Sequence, residues 1–208
     1  MTAFFCLRHG MTDWNREHRI QGRTDTALND EGREQARNWA EALAGAGFDL
    51  IVTSGLARAR ETGAILNQVL NLPMVEDARL NEQDWGNWTG LTRKELAKKG
   101  KLLNQQEKKG FDFRPEGGES RNEMLDRACD AFIDLSGEHP GKSVLVVTHN
   151  GVLRCLAHAL SGSDYLPGDP DPIMPGRLHR FECAELELAL GELNVAFARP
   201  GGSGEATE

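Results

Sequence analysis

Two short apolar segments, separated by most of the chain, each end at a histidine with a glycine close behind. Residues 2–7 run into an Arg-His-Gly sequence that contains His9, and residues 143–148 run into a His-Asn-Gly sequence that begins with His149. Continuous apolar runs of this length are typical of parallel strands buried on both faces. Open α/β sheets bind their ligands at the carboxyl ends of such strands. The two segments therefore predict a parallel sheet with both histidines at one edge.

The sequence between and after these segments alternates strands with helices. Asn29 is the predicted N-cap of a helix in which Ala36, Trp39, Ala40 and Leu43 recur at helical spacing. Alternation of this kind predicts an α/β fold with a mainly parallel sheet. The other predicted elements are a strand at 50–53, a helix at about 56–70 with Ile65, Leu66 and Val69 facing inward, an edge strand at 74–76, a helix at 120–135, a helix from 151 to 160 and a hairpin at 179–183 and 185–190. Residues 10–28 and 161–176 are predicted loops.

Composition and charge bound the size of the fold and the kinds of partner. The chain has 208 residues, of which 39% are hydrophobic, which is enough for one domain with its own core. We expect this single domain to span residues 1–199, with a lysine-rich helical insertion at about 91–116 and a disordered tail at 200–208. The net charge of -8 argues against nucleic acid or an anionic membrane as a partner.

The chain shows no pattern of a secreted or membrane-spanning protein. No apolar run approaches the roughly 20 residues that a membrane-spanning helix needs, and the first residues do not read as a signal peptide. The four cysteines are widely spaced and include no C-x-x-C pair, so neither a zinc knuckle nor a disulfide framework is expected. A reducing, cytoplasmic location is the resulting expectation.

The two histidines leave three interpretations open at this point. They are a pair facing one pocket, two unrelated histidines satisfied within the core, or two ligands of a zinc ion. The zinc interpretation lacks an H-x-x-x-H motif or a cluster of cysteines and carboxylates to complete the coordination shell.

Arg58 and Glu82 are two further candidates for catalysis. Arg58 falls in the first turn of a predicted helix, where a cation opposes the helix dipole and where backbone N–H groups bind anions, so its position indicates a bound phosphate. Glu82 lies among two tryptophans and two glycines that suggest a pocket wall, and its carboxyl group suits a general acid. The alternative for each is an ordinary exposed surface residue.

Taken together, these motifs resemble the histidine phosphatase superfamily, the phosphoglycerate mutase-like proteins. The resemblance starts at Leu7-Arg8-His9-Gly10 and covers residues 4–160 in several blocks that agree in order. The later blocks comprise Thr12 and Asn15; Gln21-Gly22, Asp25, Leu28, Gly32, Gln35 and Ala36; Ser54, Leu56, Arg58-Ala59 and Thr62; Glu82, Gly86 and Gly90; Gly117-Gly118-Glu119-Ser120; and Val147-Thr148-His149. The chain departs from the family pattern at Met11, where Glu or Gln is frequent, and at Glu61, where Gln is frequent.

The resemblance implies a three-layer sandwich and a phosphoryl transfer in two steps without metal or cofactor. His9 would attack phosphorus and form a phosphohistidine, and Glu82 would protonate the leaving oxygen and then deprotonate water. The expected contacts to the substrate phosphate are Arg8, Asn15, Gln21, Gly22, Arg58, His149 and Asn150. This assignment requires the first strand to end by Arg8, because neighbouring side chains of a regular strand face opposite sides.

Three functions remain open for such a chain. The short segment between the Glu82 motif and Gly117 favours a phosphatase acting on a small phosphorylated metabolite over a phosphoglycerate mutase. A non-catalytic member that only binds or regulates is the third, and a homodimer is possible for each. The lysine-rich insertion is either a lid that steers anionic substrates or an ordinary solvated helix face.

Overall fold

The computed structural model describes residues 1–98 and 102–197, which form six strands and seven α-helices. The strands are β1 (Thr2–Arg8), β2 (Leu50–Thr53), β3 (Met74–Glu76), β4 (Ser143–Thr148), β5 (His179–Ala184) and β6 (Glu187–Leu190). The helices are α1 (Asp13–Arg16), α2 (Asp30–Ala42), α3 (Ala57–Leu70), α4 (Arg93–Lys98), α5 (Leu102–Glu107), α6 (Arg121–Glu138) and α7 (Asn150–Leu160). Short 3-10 turns lie at Ala78–Leu80, Gly86–Trp88 and Gly110–Asp112.

All six strands join one sheet in the order β3-β2-β4-β1-β5-β6. The pairs β1–β4, β2–β4 and β2–β3 are parallel, whereas β5 runs antiparallel to β1 and β6 antiparallel to β5. The predicted strand at 74–76 is confirmed as an edge strand, and the predicted terminal hairpin adds the two antiparallel strands.

Helices cover both faces of this sheet. The side chains of β4 alternate, so Val144 and Val146 pack on one face with residues of α6 and α7. Leu145 and Val147 pack on the other face with residues of α2 and α3. The prediction of an α/β three-layer sandwich around a mainly parallel sheet is therefore confirmed.

The register of β1 against β4 places the two histidines side by side. Arg8 is the last residue of β1 and lies opposite Thr148, the last residue of β4. The backbone N–H of His9 donates to the carbonyl of Thr148 at 3.0 Å, which continues the ladder by one bond. Because β1 ends at Arg8, the side chains of Arg8 and His9 escape the strict alternation of a strand, as the sequence required.

Side-chain caps begin two of the three longest helices, α2 and α6. The Asn29 side chain accepts from the backbone N–H of Gly32 at 2.9 Å and caps α2. Ser120 caps α6 through a capping box in which Glu123 returns a bond to the Ser120 backbone. The helix predicted at 120–135 is confirmed, and Met124, Ala128 and Ala131 are among its buried residues.

Two local predictions are wrong. The predicted loop at 10–28 contains the one-turn helix α1, which a capping box between Thr12 and Asn15 stabilises. Val69 is 48% exposed and does not lie on the inner face of α3. Small and polar residues make up most of the buried face, in which Leu66 is the one fully buried large apolar side chain, and Ile65 is half-buried.

The insertion is helical as predicted over 93–98 and 102–107. Its apolar residues Leu96 and Leu103 pack with Trp88 and Phe113 in a small separate cluster. Residues 99–101 and the predicted disordered tail at 200–208 lie outside the described residues. Over 1–98 and 102–197, none of the helices combines the length and the apolar character that a bilayer crossing requires.

Candidate active site

His9 is buried at the end of β1, and its ring is fixed by two hydrogen bonds. Its Nδ1 donates to the Gly10 carbonyl at 2.7 Å, and its Nε2 accepts from Arg58 Nε at 3.2 Å. This pattern assigns the proton to Nδ1 and leaves the lone pair on Nε2. Burial, together with the charges of Arg8 and Arg58, lowers the pKa of His9 well below its ordinary value. A neutral imidazole with a defined nucleophilic nitrogen results.

Gly10 is required here by close packing rather than by an unusual backbone angle. A Cβ atom at Gly10 would lie 2.6 Å from the carbonyl oxygen of Gly32, closer than real Cβ contacts. The backbone N–H of Gly10 donates to Thr62 Oγ1 at 3.0 Å. The turn after β1 therefore sits directly against the first turn of α2 and is tied to α3.

Arg58 lies in the first turn of α3 and is 1% exposed, which excludes the alternative of a surface arginine. Its Nη1 and Nη2 donate to the carbonyls of Thr24 and Gly22, each at 2.8 Å, and its Nε faces His9. Burial lowers the pKa of Arg58 to about 10, still far above neutral pH. The side chain is thus a fixed cation in contact with the nucleophile.

Arg8 and His149 each present a buried nitrogen without a hydrogen-bond partner in the described part of the chain. These atoms are Arg8 Nε and His149 Nδ1. His149 Nε2 lies 2.7 Å from Ser54 Oγ, and the ring centroids of His9 and His149 are 5.1 Å apart. Ser54 Oγ already accepts from the backbone N–H of Leu56, so we assign its own proton to the bond with His149 Nε2 and the His149 proton to Nδ1. Burial is the main cause that lowers the pKa of His149, with the charge of Arg58 next.

Glu82 is half-buried, and backbone N–H groups hold both of its carboxyl oxygens. Oε1 accepts from Gln83 at 2.9 Å, and Oε2 accepts from Gly151 at 3.1 Å. Its backbone carbonyl accepts from Arg127 at 3.2 Å. Arg127 is itself bound by both carboxyl oxygens of Glu119, at 2.7 and 2.8 Å. The carboxyl group is therefore positioned through its own backbone as well as through α7.

The neutral residues of the predicted site line the same cavity as His9, Arg58 and Glu82. Asn15 Oδ1 accepts from the backbone N–H of Thr12 at 3.2 Å, and Gln21 Oε1 accepts from Thr12 Oγ1 at 3.1 Å. Both amides therefore use their oxygen within the protein and keep their nitrogen as a donor. Gly22 carries φ +51° and contributes its carbonyl to Arg58. Asn150 is the first residue of α7 and lines the cavity.

Eight of the nine predicted site residues line one cavity of about 540 Å³, and the ninth, His149, lies buried beside His9. The interpretation as two unrelated core histidines is therefore excluded, and the zinc interpretation still lacks further ligands. In 1–98 and 102–197, no group of three or more His, Cys, Asp or Glu side chains is arranged to hold a metal ion. The prediction that no metal or cofactor is used stays a prediction.

Sequence reasoning assigned no role to several residues that the structure places at the site. Ser54 and Thr62 belonged to the recognised motifs, and the structure shows that they hold His149 and Gly10 respectively. The outer wall of the cavity includes Arg19, Arg93, Arg121, Arg154 and Tyr165. Arg121 is the first residue of α6, so the argument from helix polarity that singled out Arg58 applies to it equally.

Comparison with known proteins agrees with this geometry. The family model described as histidine phosphatase superfamily (branch 1) matches residues 4–195. An uncharacterized phosphatase, PhoE, of Bacillus subtilis is 35% identical over 199 residues, which cover 94% of this chain and 95% of the relative. A glucosyl-3-phosphoglycerate phosphatase of Mycolicibacterium vanbaalenii is 36% identical, covering 82% of this chain and 77% of that protein.

A phosphoglycerate mutase and a solved structure are also similar to this chain. A 2,3-bisphosphoglycerate-dependent phosphoglycerate mutase of Gloeobacter violaceus is 33% identical, covering 75% of this chain and 74% of the mutase. The structure of Bacillus stearothermophilus YhfR superimposes with a TM-score of 0.83 at 28% identity, covering 94% of this chain and 98% of that one. The similarity therefore extends across nearly the whole chain.

Proposed function

The chain belongs to the histidine phosphatase superfamily, and we propose that it hydrolyses small phosphate monoesters through a phosphohistidine on His9. The observation that carries the assignment to these residues is the pair of unpartnered buried donors, Arg8 Nε and His149 Nδ1, beside a neutral histidine. Buried polar atoms are rarely left without a partner, and the oxygens of a phosphate group would satisfy both.

In the first step, His9 Nε2 attacks phosphorus as the bond from phosphorus to the ester oxygen breaks. The hydrogen bond from Nδ1 to Gly10 keeps the lone pair on Nε2 and stabilises the positive charge that the ring gains. Once Nε2 carries the phosphoryl group it no longer accepts from Arg58, whose Nε–H is then free to donate to a phosphoryl oxygen. Glu82 gives its proton to the leaving alcohol.

In the second step, Glu82 takes a proton from water, whose oxygen attacks phosphorus while the bond from phosphorus to Nε2 breaks. Inorganic phosphate and neutral His9 are released. The transition states of both steps spread charge over the equatorial oxygens, so fixed donors supply most of the stabilisation. We assign that role to Arg8, Arg58, His149 and the side-chain nitrogens of Asn15 and Gln21, with Gly22 and Asn150 forming the wall around them.

The test is phosphate release from p-nitrophenyl phosphate and a panel of small phosphate esters, with EDTA present. We expect metal-free turnover by the wild type, a loss of at least about 100-fold in His9→Ala, and an acid-labile phosphoryl group on the wild-type protein. His139→Ala is the matched control, because His139 lies at the far end of α6 and should leave turnover unchanged. Turnover that persists in His9→Ala would refute the assignment.

The similarity to a phosphoglycerate mutase supports a second candidate function. Conversion of 3-phosphoglycerate to 2-phosphoglycerate, without net phosphate release, would favour the mutase. Absence of both reactions would favour a member that binds phosphate ligands without turnover. A role of the insertion as a lid, a single domain at 1–199, a homodimer and a cytoplasmic location remain predictions from the sequence.

A further inference from the structure

Beyond the phosphate site, the cavity wall is rich in arginine and poor in carboxylate. Six arginines line the cavity, whereas Glu82 is the one acidic residue of the described chain that does so. Four arginines lie outside the phosphate site, and three of these pair with acidic side chains. The pairs are Arg19 with Glu17 and Glu95, Arg93 with Glu107 at 3.4 Å, and Arg154 with Asp171 at 3.1 Å.

Arg121 is the fourth, and no carboxylate in 1–98 or 102–197 lies within ion-pair distance of it. Its guanidinium lies 3.7 Å from the ring centroid of Tyr165 and 4.5 Å from that of Phe113. Its Nη1 donates to the carbonyl oxygens of Gly110 and Tyr165, at 3.0 and 3.1 Å. The group is thus fixed by two rings and two hydrogen bonds.

Both hydrogen bonds are made by Nη1, so the edge of the guanidinium formed by Nε and Nη2 stays free. Nε and Nη2 of Arg121 make no hydrogen bond to any described residue, and together they form a donor pair with the spacing of two oxygens of a carboxylate or phosphate. Burial lowers the pKa of Arg121, and its position in the first turn of α6 opposes the helix dipole. An anion bound at this edge would offset both effects, and no carboxylate in the described part of the chain takes that place.

We propose that the free edge of Arg121 binds a second anionic group of the substrate, so that the preferred substrates are phosphate monoesters that also carry a carboxylate or another phosphate. The proposal rests on the proposed function and narrows its substrate class. Arg121 acts as a specificity-determining residue, because it lines the same cavity as His9 without belonging to the phosphate site.

A matched pair of substrates tests the proposal. 3-Phosphoglycerate and glycerol 3-phosphate differ in a carboxylate against a hydroxymethyl group, and fructose 1,6-bisphosphate with fructose 6-phosphate tests a second phosphate instead. We expect Arg121→Met to lower kcat/KM about 10- to 100-fold for the member that carries the second anionic group, in whichever pair is recognised, and less than about 3-fold for the other member. Arg121→Lys should keep part of the preference, since it keeps the charge but loses the fork.

Arg37→Met is the charge-matched control, because Arg37 is an exposed residue of α2 that pairs with Glu34 at 2.7 Å. It should leave both kcat/KM values unchanged. Thermal unfolding of Arg121→Met checks that loss of the two carbonyl contacts has not unfolded the site. An equal fall for both members of each pair would overturn the proposal.

Binding separates this proposal from the proposed function. Calorimetric titration of 3-phosphoglycerate and of fructose 1,6-bisphosphate into His9→Ala, with and without Arg121→Met, needs no turnover. Binding to His9→Ala that weakens at least tenfold with Arg121→Met, together with a wild type that hydrolyses none of the esters, would support the subsite and refute the phosphatase. Turnover of all esters without preference, together with binding that ignores Arg121→Met, would refute the subsite and leave the phosphatase standing.

Discussion

Replacing Gly151 by alanine should displace the Glu82 carboxyl group while leaving the fold intact. Gly151 lies in the first turn of α7, and its N–H donates to Glu82 Oε2 at 3.1 Å. A Cβ atom at Gly151 would collide with Oε1 and lie 3.0 Å from Cδ of the same carboxyl. The carboxyl group must retreat by roughly 0.5–1 Å to reach ordinary contact distance.

The substitution has one effect on the stability of the fold and a separate effect on the reaction rate. Alanine in place of glycine within a helix stabilises the fold by about 0.5–1 kcal/mol. A misplacement of about 1 Å in a proton-transfer group costs on the order of 100-fold in rate. Gly151→Ala is therefore expected to lower kcat about 100-fold while its midpoint of thermal unfolding stays equal to that of the wild type or rises.

Gly137→Ala provides the matched control for this prediction. Gly137 also lies in a helix, near the end of α6, and a Cβ atom there would meet nothing within 4 Å. It should keep full activity with a similar small gain in stability. Steady-state phosphate release and differential scanning calorimetry on both variants are the measurements. Wild-type activity in Gly151→Ala would refute the assignment of Glu82 as the proton-transfer group.

Two further predictions concern buried histidines. Ser54→Ala removes the partner of His149 Nε2 and should lower kcat about tenfold, measured by phosphate release; an unchanged kcat would show that the ring is held by other contacts. Burial lowers the pKa of His179 to about 4, against about 6.5 in the unfolded chain. Below pH 6.5 the unfolded state therefore binds more protons than the folded state, and the free energy of unfolding decreases as the pH is lowered. His179→Gln should therefore reduce the loss of unfolding free energy between pH 7 and pH 5 by roughly 2 kcal/mol, as urea titrations at the two pH values would show.

The elements that the sequence predicted well are those whose local chemistry and tertiary packing agree. β4 is apolar throughout and buried, and Asn29 and Ser120 cap their helices through their own side chains. Val69 was misplaced because apolar spacing alone does not show which face of α3 meets the sheet. Thr62 and Gly63 take that face instead, since a Cβ at Gly63 would already clash with Thr53.

The sequence singled out residues that the structure brings together around one cavity, but it did not single out those of the outer wall. His9, Arg58 and Glu82 each carry a local signal, either a strand end, a helix start or an aromatic setting. Arg121 and Tyr165 meet only through folding, because the stack between them joins the start of α6 to a loop that follows α7. No spacing in the sequence shows that Tyr165 closes over Arg121.

The adjacency of β1 and β4 makes catalysis a late reporter of folding. The strands that deliver His9 and His149 pair in parallel although roughly 140 residues separate them along the chain. Contacts between such distant segments form slowly, because the entropy of closing a long loop opposes them. Early compact states that lack this pairing are therefore inactive. After dilution from denaturant, the time at which turnover recovers reports when the central sheet is complete.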